Sequence, residues 1–157
     1  MHQSQFFRAG AGAVIIDRQG LVLALERADT PGAWQLPQGG LDPGEEPLAA
    51  GLREAEEETG LPAAGLALLD AYPEPLVYEL PPKFHSGKTG RGQVQYWFLF
   101  RYSGVSTTID VAPGGEFRAW QWLPFEELLV LTAAFRRPLY RRLAARFREH
   151  LAGSRSA

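Results

Sequence analysis

Residues 39–61 constrain this chain more than any other segment. The stretch opens on Gly39-Gly40, turns again at Pro43-Gly44, and runs from Pro47 into acidic sequence that halts at Gly60 and Pro62. Proline suits a first helical turn because its missing N–H would be unpaired there anyway. A glycine followed closely by a proline ends a helix. A helix is therefore predicted between these marks. At about 100° per residue, positions i, i+3 and i+4 share a helical face. Glu54, Glu57 and Glu58 then stand together and Glu56 points elsewhere, while Leu48, Leu52 and Ala55 form a separate apolar face.

Three carboxylates held this close raise one another's pKa unless a cation sits among them. A hard divalent ion fits, because Mg²⁺ takes oxygen ligands, keeps several waters and completes its shell with substrate phosphates. Mn²⁺ is the second candidate cofactor. Such an ion polarises phosphorus and acidifies a bound water. Arg53, four residues before Glu57, is placed to hold that carboxylate in one rotamer. The competing reading is a solvated acidic face, which charge runs usually are. The chain has no cysteine, which excludes thiolate metal sites and cysteine nucleophiles, and His2, His85 and His150 lack ligand spacing.

Around this helix the pattern is mostly strand. Residues 11–16 and 21–25 read as a hairpin turning at 17–20, with Gly10 and Gly12 marking close backbone approach. A short strand at 34–36 is expected to break at Pro37-Gln38-Gly39-Gly40. Further strands are expected at 66–72, 76–80, 94–102 and 120–123, a mobile loop at 81–92, and helices at 125–131 and 137–151. Strands, one helix, more strands and terminal helices point to an α+β fold with a mixed sheet between helices. The 157 residues suit a single domain over 1–152, with 153–157 as a frayed tail. The densest apolar run, 96–100, is too short to span a bilayer, and the N-terminus lacks a signal-peptide core. A cytoplasmic protein without a membrane partner is expected. Charge is segregated: residues 39–60 hold seven acids against Arg53, and residues 133–157 hold seven arginines against Glu149. That polarity suits a metal-bound polyphosphate steered by arginine, with a solvated basic helix as the alternative.

Gly39, Glu45, Arg53-Glu54, Glu57-Glu58 and Gly60-Leu61 stand at the spacings of the Nudix signature, G-x(5)-E-x(7)-R-E-U-x-E-E-x-G-U, where U is a bulky aliphatic. Only Ala55 departs, being small where an aliphatic is usual, which is expected to weaken helix packing. The chain thus resembles the Nudix hydrolases. The resemblance implies a Nudix-type α/β/α sandwich with a mixed sheet, and hydrolysis of a nucleoside diphosphate linked to another group. It implies that Glu54, Glu57, Glu58 and the Gly39 carbonyl ligate metal, and that Arg53 and Glu45 orient them. Gly40 and Gly60 are structural positions of the motif.

Outside the signature, Arg8, Trp34-Gln35-Leu36-Pro37-Gln38, Tyr78-Glu79-Leu80-Pro81, Gln93-Val94-Gln95, Glu116-Phe117 and Phe135 resemble the bacterial RNA pyrophosphohydrolase and asymmetric dinucleoside tetraphosphate hydrolase subgroup. That resemblance implies a remote carboxylate at Glu116, which binds metal or deprotonates water, and substrate contacts at Gln38, Tyr78, Gln95 and Phe135. A core tyrosine and a core phenylalanine remain the plain alternatives for Tyr78 and Phe135. Arg8, Arg27, Lys83, Lys88 and Arg91 are candidates for phosphate contacts on the chemistry of their side chains. Two departures touch phosphate and base recognition: Tyr96 stands where the subgroup commonly has lysine, and Ala9-Gly10-Ala11 replaces a Pro-Asn sequence. The expected activity is pyrophosphohydrolysis of dinucleoside polyphosphates such as diadenosine tetraphosphate. The alternatives are removal of pyrophosphate from RNA 5′ ends and a nucleotide-sensing module that does not cleave. Oligomeric state is not legible.

Overall fold

A computed structural model describes residues 6–153. Its strands are β1 (Phe7–Ile16), β2 (Val22–Arg27), β3 (Trp34–Gln35), β4 (Gln38–Gly40), β5 (Leu66–Ala71), β6 (Leu76–Glu79), β7 (Gly92–Tyr102) and β8 (Phe117–Leu123). The helices are α1 (Pro47–Thr59), α2 (Phe125–Leu131) and α3 (Arg137–Arg146). All eight strands join one mixed sheet of order β3-β2-β1-β7-β5, with β4 beside β1, β6 beside β7 and β8 beside β2.

At its centre β1 and β7 run parallel from Phe7↔Gly92 to Ile16↔Arg101. Parallel central strands are covered on both faces, and alternate residues of this pair bury into two separate cores. Val14, Ile16, Trp97 and Leu99 pack against Phe125, Leu128, Leu139, Tyr140, Leu143 and Phe147 from α2 and α3. Ala13, Ile15, Phe100 and Tyr102 pack with Leu61 and with Ala55 of α1. The result is the expected α/β/α sandwich.

Four expectations are corrected. Ala55 is fully buried and does not weaken the helix seat. One turn earlier, a Cβ on Gly51 would lie 3.1 Å from the Phe98 ring, so small residues let α1 lie close on the sheet. The short strand does end before Pro37, as expected, but residues 38–40 return to the sheet. Gln38–Gly40 is a strand, paired as Gly10↔Gly40, Ala11↔Gly39 and Gly12↔Gln38. The bare backbone of β1 permits it, since a Cβ on Gly10 would lie 2.6 Å from the Gly39 carbonyl oxygen.

The last helix ends at Arg146, and Arg148–His150 forms a 3₁₀ turn. Leu139, Leu143 and Phe147 keep their helical spacing into the core, but beyond them the chain bends so that Ala152 N–H donates to Gly20 O at 3.0 Å. Residues 81–92 form an organised turn: a 3₁₀ turn at Pro82–Phe84, a His85 Nε2 bond to Leu80 O at 2.8 Å, and Ser86 bonded to Thr89. Of the expected frayed tail, Gly153 lies in a turn and residues 154–157 lie outside the described residues, as does His2. Among the described residues, no helix is long and apolar enough to cross a membrane.

Candidate active site

The site is assembled by α1 and β4. Pro47 begins α1, and Gly60 closes it in a left-handed conformation with its N–H on Glu56 O at 2.8 Å. The helix presents Glu54 and Glu58, both nearly buried, towards β4, and leaves Glu57 exposed. Glu56 is exposed and accepts from Ala63 N–H, away from the others. Glu54 lies so close to β4 that a Cβ on Gly39 would sit 2.2 Å from its Cδ. Glu58 Oε1 accepts the Gln38 N–H at 2.9 Å.

Arg53 ties the preceding loop to the helix. Its Nε and Nη2 reach the two Glu45 oxygens at 2.8 and 2.9 Å, Nη2 donates to Gly40 O at 2.8 Å, and Nη1 meets Glu54 Oε1 at 2.8 Å. The contact to Glu57, which helical spacing put first, is longer at 3.4 Å. The loop returning onto the helix offers Arg53 better-aligned acceptors than its own next turn does. Glu45 in turn accepts Asp42 N–H at 2.9 Å. Its carboxyl is held down to about 2, first by the Arg53 guanidinium and then by that backbone N–H.

The electrostatics of the site are those of close carboxylates. Burial pushes the Glu58 carboxyl up to about 9, with the negative charges of Glu116, Glu54 and Glu57 adding to the effect. Burial likewise raises Glu54, against the pull of Arg53. Four acids from α1 and the residue-116 loop therefore share one field, and among the described residues Glu58 forms no ion pair, with Arg27 acting on it only through space. Arg27 Nη1 approaches Glu116 to 3.9 Å but donates more closely to Gln35, while Nε and Nη2 bond Asp29 at 2.8 Å. Among the described residues, no three acidic or histidine side chains already close into a metal cage. An open set of carboxylate and carbonyl oxygens matches an ion that keeps waters and takes substrate oxygens. The donor set therefore fits a hard divalent ion.

On the other side of β4 lies a cleft of about 690 Å³. Six side chains singled out from the sequence line it: Arg8, Arg27, Gln38, Tyr78, Lys83 and Phe135. Strand alternation joins the two halves. Gly39 faces the glutamates, whereas Gln38 and Gly40 face the cleft, where a Cβ on Gly40 would lie 2.2 Å from Arg8 Nη2. Phe135 is in the cleft wall and not in the core. Its ring centroid lies 5.9 Å from Tyr78 and 6.0 Å from Phe84. Tyr78 is half-buried, its phenol raised by burial against the opposing charges of Arg136 and Arg8.

The remaining candidates are placed differently. Gln95 is buried beneath Gln38, donating to its Oε1 and accepting from Trp97 Nε1 at 3.1 Å, so it braces the cleft floor. Arg91 pairs with Glu79 at 2.7 Å, and Lys88 is exposed in the 86–90 turn. Neither lines the cleft.

Sequence reasoning passed over Arg136, whose guanidinium lies 4.6 Å from the Phe135 centroid and lines the same cleft. It also passed over Phe84, and it placed Gln93 within the resemblance without giving it a role. Adjacency to Phe135 was the available signal for Arg136. The rest of the basic C-terminal segment mostly serves structure. Arg142 bonds Tyr72 and Glu74, Arg146 bonds Asp70, and Arg137 caps the Leu129 and Thr132 carbonyls.

Comparison with known proteins agrees with this geometry. The NUDIX domain family profile matches residues 6–143. An RNA pyrophosphohydrolase of Cereibacter sphaeroides is 42% identical over 151 residues, covering 93% of each chain. One of Agrobacterium fabrum is 39% identical, covering 94% of each. Among solved structures, a C. elegans Ap4A hydrolase in a binary complex matches with a TM-score of 0.68 at 25% identity, covering 89% of this chain and 97% of that one. The E. coli dihydroneopterin triphosphate pyrophosphohydrolase shares the fold, with a TM-score of 0.71 at 22% identity over 89% and 98% of the two chains.

Proposed function

This chain belongs to the NUDIX domain family, a hydrolase of phosphoanhydride bonds, and from that premise we propose that its substrate is the 5′-triphosphate end of RNA. The observation that carries the reading is the two-sided strand β4, which sets the glutamates of α1 against a cleft holding both an aromatic wall and a row of cations. The relatives named RNA pyrophosphohydrolase, at about 40% identity along nearly the full chain, support it. Dinucleoside polyphosphates, the first expectation, rest on a more distant structural likeness.

In this reading Arg8, Arg27, Lys83 and Arg136 bind the triphosphate oxygens, the arginines through their paired N–H groups. A nucleobase stacks on Phe135, a contact worth about 1–3 kcal/mol for an aromatic platform. Glu54, Glu57, Glu58 and the Gly39 carbonyl would hold a divalent ion, Mg²⁺ or Mn²⁺. When bound, such an ion offsets phosphate charge and acidifies water. Arg53 and Glu45 keep Glu54 in place. Glu116, half-exposed and outside the helix, accepts the proton of the attacking water as its oxygen bonds to phosphorus. Pyrophosphate leaves with the electrons of the broken P–O bond. A binder that never cleaves would have no use for so costly a set of close carboxylates.

The test is a substrate panel with Mg²⁺ and with Mn²⁺: triphosphorylated oligoribonucleotide, diadenosine tetraphosphate, nucleoside triphosphates and ADP-ribose. We expect kcat/KM to be at least about tenfold higher for the RNA, with pyrophosphate released and a 5′-monophosphate left, the equivalent of about 1.4 kcal/mol. Preference for diadenosine tetraphosphate would overturn the RNA reading in favour of the dinucleotide one. Turnover of none would favour the sensor.

A further inference from the structure

A second cleft lies at the far end of the sheet. β1 and β7 run in the same direction, so Ile16 and Arg101 lie together at the opposite end from Gly10 and Gln95. At about 3.3 Å per residue, Gly10 and Ile16 are roughly 20 Å apart. There a cavity of about 1000 Å³ is lined by Arg18, Arg101, Arg148, Glu149 and His150.

Backbone bonding holds its walls in place. Asp17 Oδ1 accepts the Gln19 and Leu21 N–H groups at 2.9 Å, which shapes the turn carrying Arg18 and engages that carboxylate. The C-terminal segment crosses this turn, with Ala152 N–H on Gly20 O at 3.0 Å, so closely that a Cβ on Gly20 would lie 2.5 Å from Ala152 N.

The arginines of this cleft outnumber its one acid, Glu149. Arg142 and Arg146 on α3 are paired with acids. Among the described residues, none of Arg18, Arg101 and Arg148 forms an ion pair, although Glu149 stands in the same wall. Among the described residues, the hydrogen bond of the Arg18 side chain is to the Ser103 carbonyl, at 3.4 Å. The Nε of Arg101 is buried with no hydrogen-bond partner. A buried guanidinium N–H left unpaired is costly, and guanidinium forks match phosphate oxygens in geometry and charge.

We propose that this cleft is a second, non-catalytic site that binds phosphoryl groups through Arg18, Arg101 and Arg148. It is separate from the carboxylates of α1 and does not depend on which nucleotide they act on. The same chemistry is offered by the phosphodiester backbone of RNA and by a free polyphosphate.

The experiment is an amide chemical-shift titration of the full chain without divalent metal, using inorganic tripolyphosphate and, separately, an oligoribonucleotide with a 5′-hydroxyl. Saturable shifts are expected at residues 18–20 and 148–152. Combining Arg101→Gln with Arg148→Gln weakens them at least tenfold. Arg18→Gln and Arg148→Glu, both on exposed turns, provide the same reading if the double variant folds poorly. Tighter binding of the oligonucleotide assigns the site to RNA backbone, and tighter binding of tripolyphosphate assigns it to a small polyphosphate. No saturable shift at these amides with either probe, or shifts unchanged in the variants, overturns the proposal.

Discussion

A Cβ on Gly39 would lie 2.2 Å from the Cδ of Glu54, so Gly39→Ala must displace either the carboxylate or β4. We expect kcat/KM to fall at least about tenfold, roughly 1.4 kcal/mol of transition-state stabilisation, with the circular dichroism spectrum retained. Parent-like turnover would remove this contact from the site. Glu116→Gln keeps the side chain's shape but removes its proton affinity. General-base catalysis contributes about 10²–10⁴-fold, so kcat is expected to drop by that order. An unchanged kcat would assign the base elsewhere. The cluster Glu54, Glu57 and Glu58 was readable from helical periodicity because it is local. Arg53 was readable as a carboxylate holder, and the signature resemblance joined it to Glu45, but its bond to the Gly40 carbonyl was not readable, since that carbonyl reaches it only when the loop folds back.

At the scale of elements, β4 is the piece that periodicity hides. Three residues with two glycines read as a break, and they pair as a strand because Gly10 of β1, where a Cβ would lie 2.6 Å from the Gly39 carbonyl oxygen, leaves room. Its position also depends on α3. The buried Tyr140 hydroxyl accepts the Leu36 N–H at 2.9 Å, two residues before β4. Tyr140→Phe leaves that N–H unpaired in the core, at a cost of about 1–3 kcal/mol. The expected result is a lower melting temperature together with reduced turnover; an unchanged melting temperature would mean that this bond does not anchor the strand. The C-terminal arginines teach the converse lesson. Their common sign suggested one role, yet the fold pairs Arg142 and Arg146 with acids, sets Arg137 on backbone carbonyls and, among the described residues, sends only Arg136 to the cleft.

For the whole molecule, the carboxylates make stability depend on pH and metal together. Glu58 moves from an ordinary 4.5 to about 9 on folding, so between those values the folded state binds the extra proton and stability falls as pH rises. Glu45 acts in the other direction and lower down: held at about 2, it loses its contribution as pH falls from about 4.5 towards 2. Without metal, thermal unfolding should therefore occur at progressively lower temperature from pH 5 to 9, and Glu58→Gln should flatten that slope. Mg²⁺ should raise the melting temperature more at pH 8 than at pH 5; equal stabilisation at both would count against Glu58 as a ligand.

The reaction class, the carboxylate face and the α/β/α architecture are carried by the sequence, because helix punctuation, 3.6-residue periodicity and the signature spacings are local along the chain. The two-sided strand, the burial that perturbs Glu58, the membership of the cleft and the gathering of arginines at the far end belong to the tertiary structure. Each depends on residues distant in sequence being brought within a few ångströms, and on the exclusion of water that only packing provides.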